Sequence, residues 1–156
     1  MIIVLACGEK KSTVAQQAID LYIGNYFKCA KDWALSVVPI TQVYILSAKY
    51  GLVKATKIIA PYELRLKNGR RFCASKLKAQ AIQYGVLDMP VIACGGQPYV
   101  DSLRQVFADV YAPFTTVKHG GAYPDLNEFS GRMGTQRGWM INAHGQIPKP
   151  KHKESK

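Results

Sequence analysis

The chain has 156 residues, 48% of them hydrophobic, and 21 Lys and Arg against 10 Asp and Glu give a formal net charge of +11. That length fits one domain able to bury roughly two-thirds of its unfolded surface, and the composition excludes a fibrous or disordered chain. No apolar run approaches the thickness of a bilayer, which excludes a membrane-spanning helix; four cysteines with no CxxC pair and no Cys/His cluster argue against a zinc site and a disulfide framework.

Residues 2–6, Ile-Ile-Val-Leu-Ala, read as a buried strand with Cys7-Gly8 as its exit. The run begins like a signal peptide, but no basic segment precedes it and Glu9-Lys10-Lys11 interrupts it, so the expected location is cytoplasmic. Ser12 or Thr13 can cap a helix to about Tyr26, with Val14, Ala18, Leu21 and Tyr22 on one face. A second helix is expected from Tyr26 to Val37, stopped by Pro39, and a second strand over Val43–Leu46. Residues 48–71 read as a long connection, punctuated by Gly51, Pro61 and Asn68-Gly69. A basic, alanine-rich helix over Ser75–Tyr84 follows, then a strand over Pro90–Cys94, a Gly95-Gly96 turn and a helix over Pro98–Phe107. A short fourth strand is expected at Phe114–Val117 and a last helix near Leu126–Ile141. The tail from Ile147 to Lys156 holds four lysines and one glutamate, +3 of the total, and its composition is that of a disordered segment.

Strands alternating with helices predict an α/β fold: a single domain over residues 1–146, with a mostly parallel sheet of about four to five strands and helices on both faces. Every strand runs out into polar or glycine-rich sequence: CGEKK, SAKYG, CGGQPY and KHGGAYPD. In a parallel sheet those exits converge on one rim, where α/β proteins bind ligands. CGEKKST lies between strand and helix as a phosphate loop does, although neither GxxxxGK[ST] nor GxGxxG is present. Backbone N–H groups there, with Lys10 or Lys11 beside them, suit an anion. Gly95 and Gly96 let a backbone approach a flat or phosphorylated ligand closely. His119 is the one histidine near a strand end, placed for acid–base work near neutral pH. Glu63 and Asp125 are the carboxylates nearest the loops. The excess positive charge favours a polyanionic partner, with DNA the natural one.

The stretch Ser47-Ala-Lys49-Tyr50-Gly51-Leu52, followed by Pro61-Tyr62-Glu63-Leu64-Arg65-Leu66, resembles the central motif of the YaaA-like family. The whole chain is similar to a group of short phage and bacterial domains that open with Cys-Gly-x-x-Lys, here Cys7, Gly8 and Lys11, and carry Ser-Ala-Lys-Tyr-Gly-Leu. The resemblance spans roughly residues 1–141 and implies DNA binding in a repair, modification or defence setting.

Together these readings nominate Ser47, Glu63, His119 and Asp125 for catalysis. They nominate Cys7, Gly8, Lys11, Lys49, Tyr50, Gly51, Tyr62, Arg65, Gly95 and Gly96 for substrate binding, with no metal and no cofactor. Lys11 and Arg65 would hold phosphate, Tyr50 or Tyr62 would stack on a base, and Ser47, Glu63 or His119 would handle a proton or water. The expected function is action at a DNA base or its N-glycosidic bond, chemistry that needs an activated water and a carboxylate near the base. The alternatives are a non-catalytic DNA-binding protein and a nucleotide- or nucleoside-processing enzyme.

Overall fold

The computed structural model describes residues 1–63, 72–115, 120–124 and 133–150. In chain order the elements are β1 (Ile2–Ala6), β2 (Gln16–Gln17), α1 (Ala18–Leu21), α2 (Asn25–Val37), a 3-10 turn (Ile40–Gln42), β3 (Val43–Ser47), β4 (Gly51–Lys54), β5 (Ile58–Ile59), α3 (Ala74–Tyr84), β6 (Val91–Cys94), α4 (Gln97–Arg104), β7 (Val110–Tyr111) and α5 (Met133–Asn142).

Five strands form one sheet in the order β4-β3-β1-β6-β7. The β3-β1, β1-β6 and β6-β7 pairs are parallel, and β4 is antiparallel to β3 at the edge. β1 is central and every one of its residues is buried, as expected for a strand enclosed on both faces. Its side chains alternate between two apolar clusters. Ile3 and Leu5 pack with Phe27, Ala30, Trp33 and Ala34 of α2, whereas Ile2 and Val4 pack with Leu77 and Ala81 of α3 and Val100 and Leu103 of α4. The α2 residues recur at helical spacing, so a single stripe of that helix supplies its contact with the sheet. α3 ends at Gly85, whose φ of 72° lets its N–H and that of Val86 return to the last carbonyls.

The chain departs from the expected elements at three places. The stretch after β1 is not a long helix. Ser12 N–H bonds Leu21 O and Ile23 N–H bonds Lys10 O, so it folds back as a bridged loop containing only β2 and the four-residue α1. Ser12 accepts from Val14 N–H and from the Gln16 side chain, so it caps a turn rather than a helix. The long connection holds β4, paired in a hairpin with β3 through Ser47 and Gly51, and β5, which pairs with β2. Among the described residues the last strand is Val110–Tyr111, and the expected strand does not begin at Phe114. Pro113 follows Tyr111 closely and cannot donate to a ladder, and Phe114 and Thr115 are buried outside any strand. The positions at 116–117, 126–132 and 151–156 lie outside the described residues. No helix among the described residues is long and apolar enough to cross a membrane.

Candidate functional site at the β1–β6 crevice

After β1 the chain crosses to β3 on one side, and it later returns to β6 on the other. The carboxyl ends of β1 and β6 therefore sit where the connections diverge, which is where open α/β sheets leave a crevice. A cavity of about 490 Å³ lies there, lined by Ala6 to Lys10 after β1, Gly24 to Phe27 at the start of α2, Gly95, Gly96 and Tyr99 after β6, and Arg137 of α5. That volume is in the range of about 300–1,000 Å³ typical of small-molecule sites. The first turns of α2 and α4 both face it. Their N-caps are glycines, Gly24 and Gly96, with no side-chain cap bond, so the leading N–H groups of both helices are not covered by a capping side chain.

Gly95 has a steric duty there. A Cβ on it would fall 2.6 Å from the Ala6 Cβ, so only glycine lets the ends of β1 and β6 close together. The Cys7 thiol lies 3.7 Å from the Tyr99 hydroxyl across the cavity floor, and burial pushes the Tyr99 phenol well above its usual range. Among the expected site residues, Cys7, Gly8, Gly95 and Gly96 line this cavity.

The SAKYG motif stands beside it and is occupied internally. Ser47 is fully buried and aligned one residue beyond the β1–β3 register, next to Cys7. Its hydroxyl accepts from the N–H groups of Lys49 (3.3 Å) and Tyr50 (3.0 Å) and donates to the Tyr62 hydroxyl (2.9 Å). Tyr62 in turn shares a 2.6 Å hydrogen bond with Tyr22. Burial pushes the Tyr22 phenol up to about 12, against the opposing pull of its bonds to Ser47 and Tyr62. Tyr62 is pushed up further, first by burial and then by the neighbouring Cys7. The Lys11 ammonium rests 4.4 Å from the Tyr62 ring centroid and donates to Glu9 O, while Lys49 lies 5.3 Å from the Tyr50 ring.

Gly51 needs its φ of +74° to turn the hairpin, and a Cβ on it would strike the Gln80 side chain. Gln80 of α3 clamps the turn, accepting from Leu52 N–H and donating to Tyr50 O, each at 2.8 Å. Glu63 follows Tyr62 on the surface and does not line the cavity. Arg65, His119 and Asp125 lie outside the described residues. No cluster of three potential metal ligands occurs among the described residues.

Residue-by-residue reading of the sequence did not single out Glu9, Asn25, Tyr26, Tyr99, Arg137 or the Gln80 clamp. Glu9 adjoins a nominated loop and was within reach of the rule that strand exits form the rim. Tyr26, Tyr99 and Arg137 enter from helix faces, and only the packing of α2, α4 and α5 brings them together.

No curated protein and no solved structure matches the chain. A family model does match, over residues 2–124, a span that takes in β1 through β7, the SAKYG hairpin and every cavity-lining residue except Arg137. The chain belongs to that family, the family of unknown function DUF6884.

Proposed function

We propose that the β1–β6 crevice receives one nucleotide unit of a nucleic acid and that the protein acts there on the base or its N-glycosidic bond. The cavity carries this reading. It combines two helix N-termini suited to phosphate, the cations Lys10 and Arg137, the aromatic rings of Tyr26 and Tyr99 and a carboxylate, Glu9, within a volume that suits a single nucleotide. The net charge of +11 supports a polyanionic partner. The layered α/β arrangement, with α2 and α3/α4 packed on alternate residues of β1, supports a doubly wound sheet whose ligand enters at this rim.

In this reading the base stacks against Tyr26 or Tyr99 and the phosphate faces the helix termini. Glu9 positions the water that attacks the sugar carbon as the base departs, a role that sequence position alone would give to Glu63. A base taken out of a duplex costs a few kcal/mol of unstacking, which aromatic stacking in the crevice offsets. The Ser47–Tyr62–Tyr22 hydroxyl cluster acts as a brace that fixes Cys7 and the β1 exit.

The test is incubation of the purified protein with phage and bacterial DNA, modified and unmodified, followed by mass spectrometry of released or altered bases. A product that disappears in Glu9→Gln and persists in Glu63→Gln is expected. Tight, salt-sensitive DNA binding with no altered base in any substrate would leave a binding protein and overturn the catalytic half of the proposal.

A further inference from the structure

Arg137 is the one cavity-lining residue that lies beyond the family-matched span. It is half-buried, and among the described residues it has no hydrogen-bond or ion-pair partner of its own. A guanidinium cannot shed its charge and carries five donors, so one held in a cavity wall with no acceptor among the described residues is suited to an anionic ligand.

Its position is fixed by the packing of α5. Gln136, one residue before it, is buried and accepts a 2.5 Å hydrogen bond from the Tyr26 hydroxyl at the start of α2. Trp139 stacks on Tyr123 with ring centroids 4.4 Å apart and planes within 9°. Past the helix, the Trp33 indole N–H donates to Gln146 O at 2.8 Å and Gly145 N–H donates to Ser36 Oγ at 2.8 Å. These contacts tie α5 and the turn after it to α2 and to Tyr123, so Arg137 is presented to the cavity by a held element rather than by a free side chain on a loop.

Resting on the proposal of a nucleotide site, we infer that Arg137 is a specificity-determining residue that reads the ligand's phosphate. The N-termini of α2 and α4 face the same phosphate, and Arg137 adds a bidentate contact that sharpens the discrimination between a phosphorylated and an unphosphorylated ligand. The recognised class is therefore a nucleoside monophosphate unit, free or within a strand, in preference to a nucleoside.

The experiment is calorimetric titration of the full chain with deoxynucleosides bearing each common base, with the corresponding monophosphates and with inorganic phosphate. It is run on the wild type, Arg137→Ala and Arg137→Lys, with circular dichroism as the folding control. The wild type should favour monophosphate over nucleoside by about tenfold to a hundredfold, the range of a charge-assisted bidentate contact. Arg137→Ala should narrow the gap between the two affinities, weakening the monophosphate several-fold or more and leaving the nucleoside unchanged. Arg137→Lys should keep part of the preference, since a lysine retains the charge without the fork. An unchanged preference in Arg137→Ala, or equal loss of nucleoside and monophosphate in that folded variant, overturns the inference and leaves the nucleotide site standing. A wild type that binds none of these ligands, and no short oligodeoxynucleotide titrated in the same way, overturns the nucleotide site and the inference together.

Discussion

Tyr22 and Tyr62 show how a single residue's chemistry departs from what its sequence neighbours suggest. Next to Pro61 and Glu63, Tyr62 reads as a rim residue, yet it is 8% exposed and hydrogen-bonded to both Ser47 and Tyr22. The cause is long-range: Tyr22 arrives from a loop forty residues earlier, and no local signal announces that meeting. The same burial makes a pH prediction. An unfolded tyrosine ionises near its ordinary value of about 10, while folded Tyr22 holds its proton up to about 12. Its contribution is therefore fully present below the unfolded value and is lost as pH rises from about 10 through about 12, amounting at most to about 3 kcal/mol. An alkaline titration read by tyrosinate absorbance should show several tyrosines, Tyr22, Tyr26, Tyr62 and Tyr99 among them, ionising only as the fold opens. Ionisation of every tyrosine at its ordinary value, with far-ultraviolet circular dichroism unchanged, would contradict the buried hydroxyl cluster.

At the scale of elements, apolar runs made β1, β3 and β6 legible, because central parallel strands are buried on both faces and read as unbroken hydrophobic stretches. α2 and α3 were legible from Pro39, which ends the first, and from the alanine-rich composition of the second. The helical spacing of Val14, Ala18, Leu21 and Tyr22 misled, because that stretch folds back as a loop. β2, β5 and β7 are two residues each and carry no period to detect. β4 was hidden because its hairpin turns through Ala48-Lys49-Tyr50, without an Asn-Gly or Asp-Gly signal, and depends on Gly51 and on the distant Gln80. The uncapped start of α2 is a further element-scale feature. Gly24 has φ of −69°, and a Cβ there would meet nothing within 4 Å, so any residue fits and Asp would cap the helix. Gly24→Asp should raise stability by a few tenths of a kcal/mol to about 1 in urea unfolding. It should also weaken nucleotide binding by placing a negative charge at the cavity mouth. Gain of stability with unchanged or tighter binding would show that the ligand's anion does not sit at that helix end.

For the whole molecule, the sequence carried the shared direction of the β1, β3 and β6 exits and the excess of positive charge, while the expected fourth exit followed a strand that does not form at Phe114. It did not carry the strand order, and the order decides which exits share a crevice. Because β1 separates β3 from β6, Cys7-Gly8 and Gly95-Gly96 meet in the cavity, while Ser47 to Gly51 close the neighbouring hairpin. The most distinctive motif of the sequence thus stands beside the cavity with its hydroxyl bonded internally, and Tyr26, Tyr99 and Arg137 reach the cavity from helix faces. The most direct measurement is proton–nitrogen correlation spectroscopy of the labelled full chain titrated with a short oligodeoxynucleotide. Occupation of the crevice predicts shifts at the amides of Cys7 to Lys10, Asn25 to Phe27 and Gly95 to Gln97, with the Arg137 side chain moving in step. Shifts confined to Lys49, Tyr50 and Glu63, or scattered over the basic surface with the cavity amides silent, would contradict it.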